Sequence, residues 1–133
     1  MTYETRIVSA SIDRPADVVY DFACRMENLS RWAAGLASEV VQSDGQWFAD
    51  TPGGRIRIAM APRNAYRVLD HDVTAADGFT VHNAMRVTPS DDGSVVAFVV
   101  LRLPGMPDAD FERDAGLVAQ DLQTLKKLVE ALG

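Results

Sequence analysis

A chain of 133 residues that is 47% hydrophobic and 24% charged has the composition of a folded globular domain, which excludes disordered and collagen-like classes. Thirteen Lys and Arg against nineteen Asp and Glu leave a net charge of −6. That argues against a nucleic-acid binder, whose affinity rests on neutralising phosphates.

The longest apolar run, Val95 to Leu101, is seven residues, far short of the roughly 20 a membrane helix needs, so no membrane insertion is expected. Met1 to Arg6 lacks the basic-then-apolar pattern of a secretion signal. The one cysteine, Cys24, excludes an intrachain disulfide or a multi-cysteine zinc site and points to a cytoplasmic address.

Taken in chain order, Thr2 to Ile12 reads as a strand, with Tyr3, Ile7 and Val8 among polar residues. Asp13 offers a helix cap, and Pro15 suits a first helical turn, where a missing N–H does little harm. Val18, Val19, Phe22 and Ala23 then mark a short amphipathic helix. A second short helix is expected from Asn28 or Ser30 through Ala34, stopped by Gly35. Beyond Gly35 the period falls to two. Ser38 to Ser43 and Trp47 to Asp50 read as strands joined by the turn Ser43-Asp44-Gly45-Gln46. Arg55 to Met60 alternates strictly, with Ile56, Ile58 and Met60 on one face and Arg55 and Arg57 on the other. That pattern belongs to an antiparallel sheet wetted on one side. Ala65 to Val73, Phe79 to Val87 and Ser94 to Leu103 continue the series, the last two joined at Asp91-Asp92-Gly93. Finally Phe111, Ala115, Val118, Leu122, Leu125, Val129 and Leu132 recur at alternating spacings of four and three, one stripe along a long helix. Asp108 or Asp110 can cap its start, and Lys126 and Lys127 near its end suit the helix dipole.

The expected architecture is therefore α+β, in a single domain over residues 1–133. A strand, two short helices and about six antiparallel strands precede one long C-terminal helix, around which the twisted sheet wraps.

That order, and several stretches within it, resemble a known family. Val8 to Phe22 resembles the opening of the START-like, or SRPBCC, superfamily, whose first strand runs through a proline into a first helix. Asn28-Leu29-Ser30-Arg31-Trp32 resembles its second helix. Val68-Leu69-Asp70-His71, Arg102 to Met106, and Phe111, Asp114, Asp121-Leu122 and Leu125-Lys126 resemble a bacterial branch called polyketide cyclase/dehydrase-like. The resemblance implies the helix-grip fold, with a deep cavity between the sheet and the C-terminal helix. The superfamily spans cyclases, lipid carriers and ligand sensors, so the likeness is specific for fold and not for chemistry.

Candidate residues follow from both readings. Trp32 stands at the expected mouth, as an aromatic gate or as a core anchor. His71 and His82 are the only histidines and titrate near neutral pH. Strand neighbours point to opposite faces, so neither Asp70 nor Asp72 pairs with His71 within its strand; Leu69 shares its face. His71 is a candidate cavity base, or else a surface or structural histidine, while His82 falls on the outward face. Two histidines without a third ligand give no metal site, and no cofactor is expected. Asp114 and Asp121 lie seven apart, at about 60° and about 80° from the centre of the helical stripe, and so border the cavity. Arg102 is the expected partner for such a carboxylate, and the pair would otherwise be a bridge fastening helix to sheet. Phe48, Met60, Tyr66, Phe79, Met85 and Phe111 are candidate lining, or plain core. Val95 to Leu101 is apolar on both faces, so another segment or a second subunit should cover its outer side, and a homodimer contact is expected there.

Two functions remain open at this stage. One is binding of a small apolar molecule, lipid-, aromatic- or polyketide-like. The other is a cyclase- or dehydratase-type enzyme in which His71 or one of Asp114 and Asp121 moves a proton, with Arg102 or Tyr66 steadying an enolate oxygen.

Overall fold

The computed structural model describes residues 1–33 and 39–132. Alternating sequence becomes seven strands: β1 (Thr5–Ile12), β2 (Val40–Ser43), β3 (Gln46–Thr51), β4 (Gly54–Met60), β5 (His71–Thr74), β6 (Thr80–Ser90) and β7 (Gly93–Leu101). Every paired neighbour runs antiparallel. Strands β2 to β7 meander, and β1 closes beside β7, giving the order β1-β7-β6-β5-β4-β3-β2. Two short helices follow β1: α1 (Ala16–Ala23) and, after a 3-10 turn at Met26–Asn28, α2 (Leu29–Trp32). The long helix α3 spans Asp108–Glu130. The expected stop at Ala34 and Gly35 and the expected strand start at Ser38 lie outside the described residues.

The apolar stripe of α3 is what the sheet grips. Leu122, Leu125 and Val129 are fully buried and pack with Ile12, Ile58, Met85, Val87 and Val96 of the strands and Val19 of α1. Polar contacts set the register of helix on sheet. Arg6 of β1 meets Glu112 through two 2.6 Å bonds and lies 5.1 Å over the Phe111 ring. At the other end Lys126 donates to the Ser11 carbonyl at 2.7 Å. Arg14 donates to the Val129 and Leu132 carbonyls, answering acceptors that a helix end leaves open. Neither expected side-chain cap is used: α1 and α3 begin after Pro15 and Pro107 with no capping side chain. The Asp13 backbone N–H instead donates to Glu130 at 2.8 Å.

Turn chemistry follows the reading. Asp44 and Gly45 take φ of 53° and 75°, the paired positive values of a type I′ hairpin turn. At Gly93 the reason is closeness, since a Cβ there would sit 2.9 Å from the Ile12 carbonyl oxygen.

One strand is shorter than its composition suggested. Ala65 to Leu69 is largely irregular, and β5 begins only at His71. The Asn64 side-chain oxygen accepts the N–H of Tyr66 at 3.1 Å and of Val68 at 3.0 Å, and Arg67 takes a φ of 59°. Such side-chain bonds compete with a strand ladder. The chain rejoins β6 where Leu69 N–H donates to the Met85 carbonyl at 2.8 Å.

On the outer face of β7, Val95, Ala97 and Val99 are half-buried. Ile7, in register with Val99, is 68% exposed. No helix among the described residues is long and apolar enough to cross a membrane.

Candidate functional site

A cavity of about 280 Å³ opens between α2, α3 and the concave face of β5 to β7. Its sheet side is formed by His71 and Val73 of β5, Val81 and Asn83 of β6, and Phe98 and Val100 of β7. Toward the other end, larger residues such as Ile58 and Met85 meet α3 and fill the space. Leu29 and Trp32 of α2 form one wall, and Leu117, Val118 and Leu122 of α3 another. Leu103 and Met106, from the β7–α3 connection, complete it.

Polar groups are few. His71 is 5% exposed, stands edge-on to Phe98 with ring centroids 5.7 Å apart, and has Nδ1 3.0 Å from the Leu69 carbonyl oxygen. A carbonyl only accepts, so Nδ1 carries the hydrogen and Nε2 keeps its lone pair in the neutral ring. Burial pushes the His71 pKa below its ordinary value, outweighing the Leu69 bond that raises it. The ring is therefore uncharged at neutral pH. Asp114 and Asp121, a helical repeat of seven apart, both border the cavity. Desolvation pushes the Asp114 carboxyl above the usual carboxylate range, with Arg113 pulling the other way. Asn83 stands in register with His71 on the neighbouring strand.

Of the residues singled out from sequence, Trp32, His71, Asp114 and Asp121 line this cavity. The others lie elsewhere, each for a physical reason. Phe48 shares the outer face with Arg57, its register partner, and carries the Arg55 guanidinium 4.8 Å over its ring. Met60 pairs with His71 and packs against the main core, outside the cavity lining. Met85 is fully buried core. Phe111 fills a second cluster with Val100 and Ala115. Tyr66 is 71% exposed in the loop before β5, and Phe79 is 55% exposed at the β5–β6 turn.

Arg102 is not the partner of Asp114 or Asp121. Its guanidinium bridges Glu4, at 3.0 Å, and Asp108, and its Nε–H donates to the Met106 carbonyl at 3.0 Å. It fastens the β7–α3 connection. With Tyr66 exposed and Arg102 engaged, neither residue proposed to steady an enolate borders the cavity.

Asn83 and Phe98 are the notable omissions from the sequence reading. Asn83 was detectable, because it shares the inward face of β6 with Val81, Met85 and Val87.

His82 lies outside, as alternation requires. Its Nδ1 is 2.6 Å from Asp72 Oδ1 and its Nε2 3.2 Å from Asp70 Oδ2. The Asp72 bond, then the Asp70 bond, raise its pKa above the ordinary 6.5. A raised folded-state value means that this contribution to stability is full below the unfolded pKa. It is lost as pH rises through the folded one. An NMR titration should place the His82 midpoint above 6.5, and Asp72→Asn should lower it; a midpoint unmoved by that substitution would break the assignment.

No family model matches the chain, and no curated protein sequence matches it. Among solved structures it is similar to the Aha1 dimer from Colwellia psychrerythraea, with a TM-score of 0.75 and 10% identity over 96% of this chain and 97% of that one. Truncated norcoclaurine synthase from Thalictrum flavum matches with a TM-score of 0.65 and 13% identity, over 100% of this chain and 98% of that one. DynU16, a protein of the dynemicin biosynthetic locus, matches with a TM-score of 0.70 and 14% identity, over 96% of this chain and 47% of that one.

This is the helix-grip fold of the START-like proteins. At such identities the likeness is one of fold, so the chemistry must come from the cavity itself. Here the START-like frame holds a cavity whose wall is mostly aliphatic, interrupted by a neutral histidine, an amide and two carboxylates.

Proposed function

We propose that the protein is a cytoplasmic binder of a compact, mostly apolar small molecule held between α3 and strands β5 to β7. The observation that carries this reading is the cavity, about 280 Å³ and lined largely by aliphatic side chains. Its size is just below the roughly 300–1,000 Å³ usual for small-molecule sites. That favours a ligand of one or two rings over a long acyl chain. Norcoclaurine synthase and DynU16, which share the fold, add support through names that point to small-molecule biosynthesis.

Apolar burial does not suffice for tight binding. Removing about 200 Å² of ligand surface from water at ~25 cal/mol per Å² is worth ~5 kcal/mol. The entropic costs of association come off that figure, and micromolar affinity needs about 8 kcal/mol net. The polar groups of the cavity must therefore supply part of the affinity.

Native mass spectrometry of protein from its own host tests the proposal, together with titration of the neutral dye N-phenyl-1-naphthylamine. The expected result is a co-purifying organic molecule, and dye fluorescence that rises on uptake. Protein that emerges bare and takes up no dye would sink the reading.

One observation favours the enzyme alternative, a cyclase- or dehydratase-type reaction using His71 or Asp121. It is the neutral His71, whose Nε2 lone pair suits a base. Against it, among the described residues no carboxylate hydrogen-bonds to His71 to orient it. We also propose a homodimer through the outer face of β7, supported by the exposed Ile7 beside Val99; a strict monomer by light scattering removes it.

A further inference from the structure

The charge of the cavity lining is one-sided. Among the described residues that line it, two are carboxylates, Asp114 and Asp121, and none is a lysine or arginine. Nearby cations are committed elsewhere: Arg102 to Glu4 and Asp108, Arg113 to Asp110 at 3.4 Å, and Arg6 to Glu112. His71 contributes no positive charge while it is neutral. Asp114 makes no hydrogen bond or ion pair among the described residues, although it is half-buried.

A second observation is independent of the carboxylates. Trp32 lines the same cavity and is 3% exposed, yet its indole N–H has no acceptor among the described residues. A buried donor left unpaired is costly.

The three ligand charge types fare differently here. An anion would enter against the Asp114 carboxylate, which has no ion-pair partner among the described residues. A neutral molecule would deepen the desolvation of Asp114 and return at most a neutral hydrogen bond, weaker than a charge-assisted one. A cation would meet a carboxylate it neutralises.

Resting on the reading of the cavity as a binding site, we propose that its ligand is a compact apolar amine. Its ammonium pairs with Asp114, and its body lies against Val81, Phe98 and Leu117.

Three probes of matched shape separate the cases by calorimetric titration at neutral pH: 1-naphthylmethylamine, 1-naphthalenemethanol and 1-naphthylacetate. The amine should bind about tenfold tighter than the alcohol, as a charge-assisted bond predicts, and the carboxylate should bind most weakly. In Asp114→Asn the ratio of amine to alcohol affinity should fall toward one. An alcohol or carboxylate that binds as tightly as the amine overturns the proposal and leaves the cavity reading standing. A preference for the amine that survives Asp114→Asn overturns the pairing. Failure of all three probes, with the neutral dye also excluded, overturns the proposal and the cavity reading together. The wild-type comparison stands even if the variant does not fold.

Discussion

Leu125→Ala should cost about 3 kcal/mol of folding stability, in the range found when a fully buried leucine is truncated and its cavity persists. For a chain of this size that is roughly a 10 °C fall in melting temperature, a large part of the 5–15 kcal/mol that is typical in total. The cost follows from the position of Leu125. It is fully buried and lies between Leu122 and Val129 on the stripe that the sheet encloses. It is absent from the cavity lining, so no existing space lets its neighbours relax inward. Ile7→Ala is the internal comparison. Ile7 is the same class of residue but lies mostly in solvent, and its loss should stay within about 0.5 kcal/mol. Denaturant midpoints for the two variants decide the matter. Equal, small shifts would mean that α3 does not carry the core, and the description of a sheet gripping a helix would fall with it.

That stripe was legible because a long amphipathic helix repeats its signal many times. Phe111 to Val129 carries the same spacing over five turns, and local exceptions do not hide it. Alternation was equally readable in Arg55 to Met60, where charge and bulk change together. It failed at Ala65 to Val73, because composition suggested a strand while the Asn64 side chain was capturing the backbone N–H groups. Apolar content does not reveal such local competition.

The site was harder to read, since a cavity is what packing leaves over. Met85 and Phe98 are both large and apolar, and they face each other across β6 and β7. Met85 is buried in the core with Leu122, Leu125 and Val129, while Phe98 stays half-buried and borders the cavity. Phe48 misled for a simpler reason: aromatic character suggested lining, while its register placed it with Arg57 on the outside. His71 shows what alternation does resolve. Its separation from Asp70 and Asp72 was geometric necessity, and the two carboxylates bind His82 on the opposite face instead.

Val118→Phe should abolish or weaken ligand uptake by at least tenfold while the protein stays folded. Val118 is half-buried on α3 and lines the cavity, one turn beyond Asp114 and one before Leu122. A phenyl ring placed there occupies the volume that the ligand needs. In a close-packed core the same change would force neighbours aside and cost 1–3 kcal/mol. Here the ring enters unfilled space, and cavity filling of this kind commonly adds about 0.5–2 kcal/mol. The melting temperature should hold or rise by a few degrees, while the affinities for N-phenyl-1-naphthylamine and 1-naphthylmethylamine collapse together. The two readouts test different links. Undiminished affinity would mean that the ligand sits somewhere other than between α3 and the β5–β7 surface. A marked drop in melting temperature would mean that the space was already filled, and a collapsed interior leaves no room for either the binding or the catalytic reading.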